Sequence, residues 1–511
     1  MIQRWLEAII PAVRDEPALF SFCLANEPQY HHSGRDPYSQ PVWVAYLQQQ
    51  HGTIAALNAL YGKRYQGFAE VPVPDRRMPH GVGDQRAYYD WVRFNQRHFA
   101  DWFQWMNGIV KKAAPATPTH IKILATRFFH RLLDAGIDPE LLCQVTDLAG
   151  NDGETFTLPS GPYACDWQQE EIWYDLLHSF GGQPVFDSEN HFIEQGSPPV
   201  RVPPDHVRSV LWQGAVHHLA ATTLWVWHEP EPGVAWLNGT IYLRPANLYA
   251  AGQTMLDLNR LAAEVTAVSQ VKPKVALLYS MPSHFWQADY LGMVKKVYTA
   301  LTFMGQPVTF VSERQLAEGW AAKVAWIILP QATHVQDTTV VALEKFVATG
   351  GRVLMVGADC LGWDEYHRPR QRPQELGTIA QIEATDEQHL LTSLHPVLAD
   401  GGLELTAVRN ADDKAFAWGV EYRTVPYREG LLVPLISFLR HPQVVRLSLE
   451  GAATDLLSNE PVSLDRIRLN PMQPRLLWLP ARKRSGSSGR ATRTHCSIRA
   501  RSRTRMREER E

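Results

Sequence analysis

Two glutamates are placed where carboxyl groups do chemistry. Glu27 follows an apolar run in Asn26-Glu27-Pro28, and Glu189 follows another in Asp187-Ser188-Glu189-Asn190-His191. Cleaving a glycosidic bond with retention requires two carboxyl groups about 5–5.5 Å apart on opposite faces of one sugar. One is protonated and releases the leaving oxygen, and the other is ionised and attacks C1. Asn26 can hold a sugar hydroxyl beside Glu27, while His191 is a candidate partner for Glu189. Each motif alone also fits a simpler role, since Asn-Glu-Pro can start a turn and Ser188-Glu189 can cap a helix. Together, three strands apart, they point to a paired-carboxylate site.

Such a pair must be carried by elements that bring the two runs to one edge. From Pro17 onward short apolar runs alternate with helix-period segments, the pattern of a parallel βα architecture. Strands are expected at Ala18–Ala25, Ile121–Ala125, Leu142–Asp147, Pro184–Ser188 and Thr222–Trp227. Helices are expected at Met1–Val13, Pro41–Tyr61, Gln85–Ala114, Asp166–Phe180, Asp205–Leu219 and Asn247–Val268. In a (β/α)₈ barrel the active groups lie at the C-terminal ends of the strands, where both glutamates fall. An open doubly wound sheet is the alternative for five strands, but a Gly-rich phosphate fingerprint after the first strand is missing. Asp147 ends the expected third strand and is a candidate hydroxyl ligand or a turn cap. Trp225 and Trp227 share a strand face, and Trp227, nearer the C-terminal end, is the candidate stacking platform; wall packing is the competing role.

After Pro273 the apolar strands Val275–Tyr279, Val308–Val311, Trp326–Leu329 and Val353–Val356 alternate with helices, which reads as a flavodoxin-like, glutamine-amidotransferase-like α/β unit. Beyond about residue 394 short alternating strands such as Leu431–Ile436 and Val444–Leu449 indicate a small β-sandwich. The resulting domains are residues 1–268, 269–393 and 394–480, followed by a basic disordered tail at 481–511. That tail holds 11 Lys and Arg against 3 Asp and Glu, leaving 39 basic and 50 acidic residues before it, although the whole chain has a net charge of only −3. With almost no aromatic interleaving in the tail, nucleic-acid binding is not expected.

The five cysteines have neither paired nor metal-ligand spacing, and no apolar run reaches the roughly 18 residues of a membrane span. A cytoplasmic chain without membrane partner, metal or cofactor is expected. The pairs His31-His32 and His217-His218 make no metal site unaided, because adjacent side chains point different ways on regular elements. Cys360 lies near where amidotransferases of similar topology carry their nucleophile, but the elbow spacing is wrong and no His-Glu pair is evident.

The sequence resembles the β-galactosidases of glycoside hydrolase family 42 and their (β/α)₈ relatives. The family's strand-four Asn-Glu is matched by Asn26-Glu27 and its strand-seven Glu by Glu189. The run Leu57-Asn58-Ala59-Leu60-Tyr61-Gly62-Lys63-Arg64-Tyr65 is similar to the family's Leu-Asn, aromatic-Gly, aromatic segment, with Gln66 where members often place Trp. The resemblance implies a retaining glycosidase acting on terminal β-galactosides or related β-glycosides, with Glu27 as acid/base and Glu189 as nucleophile. It also implies that 269–393 is a trimerisation-type domain in a homo-oligomer. On this count the barrel is partial, holding strands four to eight, and an inactive fragment or a non-catalytic carbohydrate-binding relative is the competing expectation.

Overall fold

In the computed structural model, which describes residues 1–75, 81–194, 200–227, 240–371, 376, 381–382 and 386–481, the apolar runs of the first half line up as one parallel sheet. Its strands are β1 (Phe22–Asn26), β2 (Thr119–Leu124), β3 (Ala149–Asp152), β4 (Val185–His191) and β5 (Leu219–Trp225), adjacent in that order. Strand alternation separates two faces. Ile121, Ile123, Ala149 and Val185 join Phe103, Leu142, Trp173 and Leu177 of the covering helices in the largest buried cluster. His120 and Lys122, the alternate residues of β2, point the other way and are nevertheless buried. A charged side chain buried inside a sheet demands compensation, and that demand builds the site described below.

A second parallel sheet holds β6 (Val275–Tyr279), β7 (Val308–Ser312), β8 (Trp326–Pro330), β9 (Arg352–Val356) and β10 (Gln381–Ile382), in the order β10-β9-β8-β6-β7. Strands β6 and β8 are buried throughout, as sheets covered on both faces require. The remaining strands are antiparallel: β11 (Val408–Asn410), β12 (Val420–Tyr422), β13 (Val425–Tyr427), β14 (Gly430–Ser437), β15 (Gln443–Leu447), β16 (Ala453–Asp455), β17 (Glu460–Val462), β18 (Ile467–Leu469) and β19 (Arg475–Pro480). They form a β11-β15-β18 sheet and a β12-β14-β19-β16-β17 sheet, with β13 paired to β14. The architecture is therefore α/β of the barrel type followed by a second α/β layer and a C-terminal β unit. Apart from Ala481, the basic tail lies outside the described residues. Among the described residues no helix is long and apolar enough to cross a membrane.

Several element boundaries differ from the sequence expectation for local reasons. The apolar run expected as a strand at Leu142–Asp147 is instead the end of a short helix, Pro139–Cys143. Asp138 starts that helix by accepting from the Glu140 and Leu141 amides, with Pro139 in its first turn, a strong local start signal. The third strand is displaced to Ala149–Asp152. The expected helix Pro41–Tyr61 is two, Gln40–His51 and Ile54–Tyr61, divided where Gly52 adopts φ 68 and the Thr53 hydroxyl caps the second by accepting from the Ala56 amide. The helix expected at Asn247–Val268 is likewise broken, at Leu261, into Pro245–Arg260 and Ala262–Ser269.

The three units meet at a buried ionic junction. His217, just beyond the helix Pro204–Val216, places Nδ1 3.0 Å from Asp175 and Nε2 2.9 Å from Glu421 of β12. Tyr298, on a helix of the second unit, donates to the other Asp175 oxygen at 2.7 Å, and Arg423 lies 3.3 Å from Glu421. Burial alone pushes the imidazolium down, but Asp175 and Glu421 outweigh it and raise His217 to about 10 from an ordinary 6.5. This interaction is fully present below pH 6.5, the unfolded value, and is lost as pH rises through about 10. His217→Gln is expected to cost about 3–5 kcal/mol, the usual cost of removing one partner from a buried ionic network. Urea unfolding of both proteins checks this, and the difference between them should shrink between pH 6.5 and about 10.

Candidate active site

Glu27 leaves β1 with a backbone N–H bonded to the Lys122 carbonyl at 3.0 Å and with φ 43, in the left-handed region. A non-glycine residue held there, just before a proline, is conformationally costly and persists only where its surroundings over-determine it. Asn26 donates from Nδ2 to Glu27 Oε1 at 3.4 Å. Glu189 sits within an irregularity in the β4–β5 pairing between Asp187 and Asn190. The Asp187 carboxylate accepts the Glu189 amide at 3.2 Å and so fixes this irregular backbone from inside the helix-covered side.

Between the two glutamates stand two residues the sequence reading did not select, Lys122 and Asp152. The Lys122 ammonium forms a close ion pair with Glu189 Oε2 and lies 4.0 Å from Asp152 Oδ2. His191 Nε2 is 3.3 Å from Glu189 Oε1 and 3.4 Å from Asp152 Oδ1. Asp152 in turn shares a side-chain hydrogen bond with Glu27. Glu27, Asp152, Lys122, Glu189 and His191 are thus one connected cluster at the C-terminal ends of β1 to β4.

The electrostatics follow from burial and from one cation among three carboxyl groups. Burial raises Asp152 to about 8, with Asp187 and Glu27 adding to the rise and Lys122 opposing it. His191 is lowered to about 4, first by burial and then by Lys122, so at neutral pH it is an uncharged ring. Protonated on Nε2, that ring donates toward Glu189 Oε1. Asp152, Glu189 and His191 present atoms within 4.8 Å of one another, a spacing suited to a cation, and the Lys122 ammonium answers their charge from within the chain. We assign no metal to them.

Below the cluster, the Tyr174 hydroxyl bridges Glu170 and Asp187, donating to one and 2.6 Å from the Asp187 oxygen. A single hydroxyl proton cannot satisfy two charged carboxylates, and burial raises both groups, Glu170 to about 7. Gly153 permits this packing: a Cβ there would stand 2.5 Å from Asp187 Oδ2.

The remaining sequence-selected residues divide. His191 and Asn26 reach the cluster. Asp147 does not: it precedes β3, accepts from the Thr119 amide at the start of β2 at 2.8 Å and pairs with Lys111, so it braces the opposite end of the sheet. Trp225, with its ring 5.6 Å from His191, is the tryptophan beside the cluster. Trp227 lies two residues further on, 54% exposed and 6.2 Å from Tyr242, at the outer rim. Cys360 is fully buried with its thiol on the Leu329 carbonyl at 3.5 Å, a packed rather than a reactive position.

The parallel sheet brings Glu27 and Glu189 into one cluster at the C-terminal ends of its strands. Residues 1–148 match the glycoside hydrolase family 42 β-galactosidase model. A β-galactosidase of Thermus thermophilus is 23% identical over 371 residues, 66% of this chain and 54% of that protein, so the chain spans about half the length of this curated relative. In fold, the apo exo-carrageenase of family 42 from Bacteroides ovatus superposes with a TM-score of 0.81 at 21% identity, covering 94% of this chain and 69% of that one. A catalytic mutant of Gan42B, a family 42 β-galactosidase from G. stearothermophilus, gives a TM-score of 0.73 at 15% identity, covering 94% of this chain and 81% of that one. The chain is thus similar to family 42 β-galactosidases in sequence over residues 1–148, and similar in fold to family 42 structures over most of its length.

Lys122→Met is expected to destabilise the fold by about 3–5 kcal/mol by leaving buried carboxylates without their cation. Combined with Glu189→Gln, it should recover part of that loss, with a coupling of about 0.5–3 kcal/mol in a double-mutant cycle read by urea unfolding.

Proposed function

We propose that the chain is a retaining β-glycoside hydrolase acting on terminal β-galactosides by double displacement. Glu27 serves as acid/base and Glu189 as nucleophile. The observation that carries this reading is the connected cluster itself, in which the two glutamates, from non-adjacent strands, are joined through Lys122 and Asp152. Lys122 keeps an ionised oxygen of Glu189 in place for attack at C1, while His191 orients the other oxygen. Glu27 protonates the leaving oxygen, then takes a proton from the water that releases the sugar. Asn26 and the Trp225 ring beside His191 are suited to hold the sugar's hydroxyls and face. With three carboxyl groups and one ammonium, the pocket favours a neutral sugar at the reacting carbon over an anionic one.

The test is hydrolysis of a panel of aryl β-glycosides by the wild type, Glu27→Gln and Glu189→Gln. Turnover of the β-galactoside is expected, with Glu27→Gln lowering the rate on a poor leaving group by about 10²–10⁴-fold. A well-folded chain that binds galactosides and turns over none of the panel would place it among carbohydrate-binding relatives instead. Self-association through the second α/β unit belongs to the same proposal. It is supported by Val341, 63% exposed on the helix Asp337–Ala348. Val341→Glu is expected to shift sedimentation toward the monomer.

A further inference from the structure

The C-terminal β unit carries a second group of residues suited to a ligand. Arg409 of β11 stands opposite Phe416 in an antiparallel bridge, and directly opposed residues share one face of the sheet. The guanidinium stacks on the Phe416 ring at 4.5 Å and donates from Nη1 to the Lys414 carbonyl at 3.1 Å. Among the described residues no carboxylate pairs with it. Trp418, two residues beyond Phe416, is held by the Phe303 ring at 4.8 Å. Gln443 fixes the backbone there, donating from Nε2 to the Trp418 carbonyl at 3.2 Å and to the Ser437 hydroxyl at 2.9 Å. The facing wall is the helix Glu387–Asp400, on which Gln388, Leu391 and Thr392, spaced i, i+3 and i+4, form one face. Between these walls lies an open cleft of about 760 Å³. Sites for small molecules run from about 300 to 1,000 Å³.

A sugar presents apolar C–H faces beside hydroxyls that both donate and accept, and the cleft offers a counterpart to each. Phe416 and Trp418, both half-buried, supply ring surface. Arg409 is a donor only, Asp413 an acceptor only, and the amides of Gln388 and Asn410 are both. Asp413 braces its own turn through one oxygen, which accepts the Ala415 amide at 2.9 Å. Asp412 is paired with Arg466 at 3.1 Å, so Arg409 and Asp413 balance and the cleft favours a neutral ligand. An apolar ligand would leave these polar groups without partners. We propose that this cleft is a second, non-catalytic binding site for a neutral oligosaccharide, one that anchors galacto-oligosaccharides on the β unit. The choice of galactose rests on the reading of the chain as a β-galactoside hydrolase; the neutral, polyhydroxylated character of the ligand rests on the cleft alone. Because ring contacts and backbone bonds already hold both aromatic side chains, little ordering accompanies binding.

The experiment labels the full chain, carrying Glu189→Gln so that the sugar survives, with 5-fluorotryptophan and follows it by fluorine NMR. The Trp418 and Trp225 signals are identified by their loss in Trp418→Phe and Trp225→Phe. Titration with β-1,4-galactotetraose is expected to move the Trp418 signal saturably, with a Kd of about 1 mM or tighter. Arg409→Met should weaken that Kd by about tenfold, the loss of one charge-assisted hydrogen bond, and leave the Trp225 curve beside the glutamates unchanged. Asp413→Ala, on the exposed turn, gives a second reading should Arg409→Met disturb the sheet. A Trp418 signal unmoved at about 20 mM sugar, or a Kd indifferent to both substitutions, would overturn the proposal. So would a response to tetragalacturonate in place of the neutral sugar. A chain that hydrolyses aryl β-galactosides while Trp418 stays silent loses this site alone. A Trp418 response in a chain whose unsubstituted form turns over nothing keeps the site and discards the hydrolase reading.

Discussion

An ammonium group buried within a parallel sheet pays heavily in lost hydration, and only carboxylates held at contact distance offset it. Lys122 sets that condition here. Because β2 lies between β1 and β3, the cation gathers Asp152 and Glu189 while its own backbone carbonyl fixes the Glu27 amide at 3.0 Å. The same residue thus positions one glutamate by charge and the other by main-chain pairing. The strain at Glu27, with φ 43, and the irregular pairing of β4 are both tolerated because this core of charge holds the strand ends in register.

The surrounding structure keeps that arrangement rigid from below and from the side. Asp187 is on the helix-covered face of β4, where its carboxyl receives the Glu189 amide and contacts Tyr174 of the helix Gln168–Gly181. The next residue of that helix, Asp175, enters the His217 junction with Glu421 and Tyr298. A single helix therefore links the floor of the site to the contact between all three units. A disturbance at either end has a short path of packed and hydrogen-bonded groups to the other.

Much of this was legible in the sequence, for physical reasons that also explain the failures. The placement of Glu27 and Glu189 toward the C-terminal strand ends was legible because each follows an apolar run, and those ends are where polar groups of a parallel sheet converge. The fold class was legible for the same reason, through alternation of short apolar and helix-period segments. Asp152 was missed because Leu141-Leu142-Cys143 has the composition of a strand; the cap at Asp138 makes it a helix and moves β3 seven residues downstream of the expected start, to Ala149. Asp147 was selected by that displaced strand and stands at the wrong end of the sheet. Lys122 carried a usable signal, a lone charge in Ile121-Lys122-Ile123-Leu124, since period-two alternation places it opposite the core isoleucines. The choice between Trp225 and Trp227 depended on where β5 stops, and strand ends are the feature that local composition determines least.

The central claim is that Glu189 forms a bond to the sugar while Glu27 manages the proton. Incubating the chain with an activated 2-deoxy-2-fluoro-β-galactoside and mapping the modified peptide by mass spectrometry tests it most directly. The account expects one fluorogalactosyl group per chain, carried on Glu189 and absent from Glu189→Gln. A label on another residue, or turnover that proceeds with inversion and without any label, would contradict it.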